Sequence, residues 1–215
     1  MIHAYNNIYV TDAQRFLAHA FDYAITDCKL DVDTFGYIFA SSNIAKEMER
    51  GNPRIISGMA GEEATIKILK DVNPGIILPD LFFSQSKTPA YWAGWALAYY
   101  QWFTARSFKD IFMRIPLSMI IEMYNPYHEI DLVLFVEELE NRYKSVVLDT
   151  KLKMIREARG VSQRKLAEIS GVTKRSIQLY EQRVNDIDKA QAQTIYKLSR
   201  VLGCEIEDLL ENPQF

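Results

Sequence analysis

The run Val161-Ser-Gln-Arg-Lys-Leu-Ala-Glu-Ile-Ser-Gly-Val-Thr-Lys-Arg-Ser-Ile-Gln-Leu-Tyr-Glu181 leaves a chain few ways to fold. Ser162 is placed to accept a hydrogen bond from a free backbone N–H two or three residues on, and Gln163 to Ser170 follow without a breaker, so a helix is expected to open at Ser162. Leu166, Ala167 and Ser170 share one face of it, and Ala167 is small enough to let a second helix cross close by. Gly171 ends the run, because glycine enters the left-handed backbone region at least cost. Thr173 is a second N-cap. The helix it opens should bury Val172, Ile177 and Tyr180 and leave Lys174, Arg175, Ser176 and Gln178 pointing elsewhere.

Two short helices joined by a glycine turn, the second with a cationic outer face, form the layout that lays a helix in the major groove of DNA. A Lys-Arg-Ser face alone is usually only a solvated surface. The caps, the turn and the buried positions, all in register, give it weight. From Leu152 to about Leu210 the chain resembles the Cro/CI-type (XRE-family) helix-turn-helix domain. The resemblance is carried by Leu152-Lys-x-Ile-Arg-x-x-x-Gly160, Ser162-Gln-x-x-Leu-Ala167, Gly171-Val-Thr173, Ile177-x-x-Tyr-Glu181 and Leu198-x-x-x-Leu-Gly203.

That resemblance covers a little under a third of the chain and implies a five-helix, lambda-repressor-like DNA-binding domain over residues 150–211. It gives Gln163 the part of a phosphate and groove-edge contact and places Lys174, Arg175 and Ser176 at base-reading positions, Arg175 as a bidentate partner of guanine. Leu179 stands where a polar reader is common and would meet a thymine methyl instead. With Arg164, Thr173, Gln178 and Arg183 these complete the expected DNA-binding set. Arg156 and Glu181 match a buried ion pair between the first helix and the end of the third. The sequence departs from the family after Glu181. Members carry a glycine, a basic residue and then a proline, whereas Gln182-Arg-Val-Asn-Asp-Ile-Asp188 stands here, which weakens what the resemblance implies for the loop. Asp188 with Gln191 is the expected capping pair of the fourth helix.

Charge supports the same location. Residues 150 to 183 hold nine Lys and Arg against three Glu, a net +6 in a chain of net −3, so the basic patch is local and its surroundings acidic. Phosphate attraction needs such a patch and not a basic whole. At 215 residues the chain has room for two folded domains, 1–145 and 150–211. It has no uninterrupted apolar stretch of about 18 residues and no signal-peptide layout, so a cytoplasmic location is expected. Cys28 and Cys204 fall in different domains and are expected to pack rather than bridge. His3, His19 and His128 lack metal-ligand spacing, and neither a phosphate-cradling glycine loop nor a nucleophile elbow occurs. No enzyme activity, cofactor or metal is expected. Tyr127-His128-Glu129, after Asn125-Pro126, reads as a turn followed by a negative first helical turn.

The amino-terminal part reads as helical. Runs are expected at Ala13–Lys29, Val32–Ala40, Ile44–Arg50, Gly61–Val72, Ala90–Arg106, Ser107–Met113, Pro116–Tyr124 and Glu129–Lys144, with a linker at 145–150. A short strand stays open for Ile76–Gln85. The whole is thus expected to be all-α. Within Tyr91–Phe103, Trp92, Trp95, Tyr99, Trp102 and Phe103 share a helical stripe flanked by Ala93, Gly94, Ala96 and Ala98. That stripe suits either a central core helix or a groove for a partner or ligand, with Trp92, Trp95, Tyr99 and Trp102 as the partner-binding residues. The two-part layout also resembles antitoxin-type regulators, which implies an operon repressor whose amino-terminal domain binds the toxin. A repressor responsive to a small molecule and a protein-interaction scaffold that kept only the fold are the alternatives. A homodimer is expected, since one short reading helix covers too few bases and paired half-sites supply the rest.

Overall fold

Among the residues that the computed structural model describes, 3–80, 88–146 and 148–211, helix follows helix and no strand occurs. Internal contacts divide the chain into two units, Met1–Val146 and Val147–Phe215.

In the first unit the central element is α1, Val10–Asp22, which buries Ala13, Phe16, Leu17, Ala20 and Phe21 at helical spacing. Two helices press on it through glycines. A Cβ on Gly61, the first residue of α5 (Gly61–Val72), would fall 2.2 Å from the Phe16 carbonyl oxygen, and one on Gly94, in α6 (Pro89–Thr104), 2.4 Å from that of Leu17. Backbone meets backbone there, and only a residue without a side chain fits. α6 is therefore a core helix through Ala93, Gly94, Leu97 and Ala98, all buried. Trp95, Tyr99, Trp102 and Phe103 stay half-exposed and only Trp92 of the stripe is buried, so the aromatic stripe is not what makes this helix central.

Capping explains where the shorter helices begin. Asp31, Ser42, Asn52, Ser107 and Asp131 each accept a backbone N–H at the start of α2 (Val32–Ser41), α3 (Asn43–Glu49), α4 (Pro53–Ile56), α7 (Phe108–Arg114) and α10 (Leu132–Ser145). Between the last two lie α8 (Leu117–Glu122) and α9 (Tyr124–Tyr127). Phe21, Phe35, Phe39 and Phe108 meet edge to face with centroids 5.1–5.5 Å apart, and each buried ring of this kind contributes roughly 1.5–3 kcal/mol.

Several sequence expectations are corrected. The run expected over Ala13–Lys29 is α-helical only to Asp22; Tyr23–Asp27 continues as a wider turn in which the Cys28 N–H donates to the Tyr23 carbonyl, 2.9 Å. α4 was not foreseen, although Asn52-Pro53 is a capping residue followed by a first-turn proline. The helix expected from Glu129 starts at Leu132, because Asp131 supplies the cap, and His128-Glu129 lie in the preceding turn. Residues 76–80 are irregular, and the remainder of the Ile76–Gln85 segment lies outside the described residues.

Among its described residues the second unit has five α-helices: α11 (Lys151–Ala158), α12 (Gln163–Ser170), α13 (Lys174–Glu181), α14 (Ala192–Leu202) and α15 (Ile206–Leu209). Its core is Leu152, Leu166, Val172, Ile177, Ile187, Ile195, Leu198, Leu202 and Leu209. The Asp188–Gln191 cap does not form. Asp188 sits in a 3-10 turn, Ile187–Lys189, capped by Asp186; α14 begins at Ala192 with no side-chain cap; and Asp188 instead accepts the Glu211 backbone N–H at 2.7 Å.

Candidate nucleic-acid interface

Local chemistry sets the geometry of α12 and α13. Ser162 Oγ accepts from the Lys165 N–H at 3.1 Å, Gly171 turns the chain at φ +68°, and Thr173 Oγ1 accepts from the Ser176 N–H at 3.1 Å. Ile177 is fully buried, Val172 nearly so and Tyr180 half-buried, which fixes the roll of α13 about its axis. Thr173, Lys174 and Arg175 are exposed at its amino-terminal end, and Ser176, Gln178 and Leu179 are half-buried beside them.

The nine basic residues of the patch are not equivalent. Lys151 donates to the Leu210 carbonyl, Lys153 pairs with Asp149, Arg156 with Glu181, Arg159 donates to the Gly203 carbonyl, and Lys165 pairs with Glu168. Arg183, at φ +55°, donates to the Leu148 carbonyl and to Glu211, so its guanidinium ties the start of the unit to its end. That leaves Arg164, Lys174 and Arg175 as the basic side chains of residues 150–183 with no intramolecular partner among the described residues, and all three belong to α12 and α13. Cations without a local carboxylate keep their full field for an anionic ligand.

Gln163 was expected at the groove edge. Its amide Nε2 donates to Glu181 Oε2 at 2.7 Å, which holds the first turn of α12 to the last turn of α13. The same carboxylate receives the Arg156 guanidinium, so Arg156, Gln163 and Glu181 form one buried knot behind the exposed face. The strong hydrogen bond to Glu181, against some loss from burial, raises the Arg156 pKa and keeps it charged. No sequence pattern links Gln163 to Glu181, since the bond depends on how the two helices cross.

The amino-terminal unit carries two concave features along α6. One, of ≈ 620 Å³, has Tyr99, Phe103, Val133 and Val136 as apolar walls and Glu137, Glu140 and Lys144 on its rim. The other, of ≈ 250 Å³, is lined by Tyr91, Trp92, Trp95, Tyr124 and His128. Of that set only Trp92 and Trp95 are among the residues expected to bind a partner, because Tyr124 and His128 arrive from α9 and the turn after it. Trp102 is held by its Nε1–H on the Tyr5 carbonyl, 2.8 Å, and is stacked on His3, which leaves it less available than its neighbours. Cys28 and Cys204 are free thiols, half-buried, each with its pKa raised by burial. Among the described residues no group of His, Cys, Asp and Glu has the arrangement of a metal site, and no helix is long and apolar enough to cross a membrane.

Residues 152–209 match the helix-turn-helix family model. No curated protein and no solved structure matches the chain. The matched span runs from the first residue of the small core, Leu152, to its last, Leu209. The match and the five-helix arrangement are consistent with a Cro/CI-type helix-turn-helix domain in the carboxy-terminal unit, a kind of domain that binds DNA.

Proposed function

We propose that this protein is a sequence-specific DNA-binding regulator of transcription, a repressor that binds its operator as a homodimer through Lys174, Arg175 and Ser176 of α13, with Arg164, Thr173, Gln178 and Leu179 around them. One observation carries the reading: the cations of the basic patch that have no partner among the described residues are gathered on the two helices of the turn, while the other six are already engaged. Gln163 and Arg183, with their intramolecular partners, contribute by holding the face in place and can still meet phosphate through their remaining polar atoms. The test is duplex binding as a function of salt. Six or more phosphate contacts would weaken binding by roughly 10³-fold or more between about 50 and 200 mM salt. A flat salt response on the DNA flanking the gene would overturn the reading in favour of a scaffold that kept only the fold.

For the amino-terminal unit we propose partner binding, with the protein acting as the antitoxin of a toxin–antitoxin operon. Support comes from the half-exposed Trp95, Tyr99 and Phe103, from Val133 and Leu134 about half-exposed on α10 nearby, and from 13 Lys and Arg against 18 Asp and Glu over residues 1–146, a net −5 suited to a basic partner. Co-expression with the adjacent gene tests it: a toxic neighbour that the full chain neutralises and co-purifies with supports the role, and a harmless neighbour sinks it. The second reading, a repressor responsive to a small molecule, is favoured by the ≈ 250 Å³ aromatic cavity.

A further inference from the structure

The cavity at the amino-terminal end of α6 has an unusual wall. Tyr91, Trp92 and Trp95 come from α6 and Tyr124 from α9, with His128 at the rim; among the described residues no aliphatic side chain lines it. Trp92 and Tyr124 meet at 76° with centroids 5.8 Å apart, so two ring planes enclose a corner rather than stacking shut. Trp92 is braced from behind by Phe135, 5.3 Å away and edge-on, and is 8% exposed. His128 lies parallel to Tyr124 at 4.3 Å, and its Nδ1–H donates to the Tyr124 and Asn125 carbonyls at 2.9 and 3.2 Å, which fixes the ring in place. The rings are thus held by packing and hydrogen bonds before any ligand arrives.

We propose that this cavity is a binding site for an organic cation, a methylated or quaternary ammonium head. Three observations converge on it. A general apolar slot mixes leucine, valine and isoleucine with aromatic residues, whereas an all-ring wall presents π faces, whose negative quadrupole attracts a cation with little charge density at its surface. The size is right: at ≈ 250 Å³ the cavity lies below the usual range of roughly 300–1,000 Å³ for whole ligands and suits a compact head group with its chain left outside. The surrounding charge is complementary, with Glu129 Oε1 3.5 Å from His128 Nε2 at the rim and a net −5 over residues 1–146. A ring system with no positive charge gains only the apolar part of this.

The site goes beyond the DNA reading, since binding is measured without DNA and either result leaves the salt test intact. On the full chain, tryptophan fluorescence and calorimetry are titrated with choline, tetramethylammonium and 3,3-dimethylbutan-1-ol, the uncharged isostere of choline. Saturable binding of the cations, about tenfold or more tighter than the isostere, is the expected result. Trp95→Leu keeps apolar bulk at a half-exposed position and should weaken choline by about tenfold without lowering the melting temperature; Tyr124→Leu does the same from the opposite wall. A peptide carrying trimethyl-lysine, compared with choline, tells a modified side chain from a free metabolite, and tight binding of either supports the site. The proposal is overturned if the isostere binds as well as choline, if no cation gives a saturable signal, or if both folded variants bind choline like the parent chain.

Discussion

The guanidinium of Arg156 meets the carboxylate of Glu181 edge to edge, Nε on Oε1 at 2.6 Å and Nη2 on Oε2 at 2.9 Å, with the two side chains only 9% and 3% exposed. This joins α11 to the end of α13. Breaking such a pair from one side leaves a buried charge uncompensated, whereas replacing both members by apolar residues of similar size does not. Glu181→Ala should therefore destabilise the carboxy-terminal unit by about 3–5 kcal/mol, and Arg156→Met with Glu181→Leu should recover most of that loss. Hydrogen exchange of the backbone amides of residues 151–181 in the full chain would read it. Equal protection in Glu181→Ala and the parent would show that the pair does not hold the unit together.

Gly94 separates two opposing effects. In the middle of a helix, replacing glycine by alanine is normally stabilising by about 1 kcal/mol. Here the new Cβ would lie 2.4 Å from the Leu17 carbonyl oxygen and 2.8 Å from its carbon, and backbone cannot swing aside as a side-chain end can. Overpacking of this kind costs typically 1–3 kcal/mol or more, so the steric effect prevails and Gly94→Ala should lower the melting temperature. Gly160→Ala makes the contrast. Its φ of +66° strains alanine, but its Cβ would meet nothing within 4 Å, so the loss there should be only about 1 kcal/mol.

The small unit was legible because its signals are local. Ser162, Gly171 and Thr173 act on backbone groups within three residues of themselves, and the sequence states such relations directly. What escaped depends on distances across the fold. Asp188 accepts the Glu211 backbone N–H instead of capping α14, and the bond from Gln163 to Glu181 joins two helices that no local pattern links. In the larger unit Tyr91 to Phe103 drew attention for its aromatic rings, while the positions that seat α6 on α1 are Gly94 and its alanine neighbours, whose lack of side chain gives no signal until the crossing is known. Of the aromatic cavity, α6 alone was visible, since Tyr124 and His128 are thirty or so residues further along.

Acid should loosen the amino-terminal unit at one identifiable point. Burial pushes the Glu140 carboxyl up, but hydrogen bonds from Arg106 and the Tyr100 hydroxyl outweigh it and hold the group below the usual carboxylate range. The unfolded chain then takes up this proton near pH ~4.3, before the folded one does, so the contribution is whole above that value and is lost as pH falls through the lower folded pKa. Melting temperatures of the parent and Glu140→Gln, followed from about pH 7 to pH 3, should differ most at the neutral end and converge at the acid end. A gap that stayed constant, or widened in acid, would mean that the carboxylate is not what Arg106 and Tyr100 stabilise.

Arg175 and Arg183 are both cationic and exposed, yet they should fail in different ways. Arg175 has no partner within the described residues, and Thr173 and Ile177 on either side fix the helix that carries it. Arg175→Ala should leave the melting temperature unchanged and weaken operator binding by about 1–3 kcal/mol, relaxing the preference at one base pair while random DNA is bound almost as before. Arg183→Ala removes the donors to Leu148 and Glu211, so it should lower stability and weaken operator and random DNA alike. Fluorescence anisotropy on both duplexes, with melting curves of the same preparations, separates the two patterns. If Arg175→Ala lost equally on operator and random sequence, its side chain would be a phosphate contact and base reading would have to lie with Lys174 and Ser176.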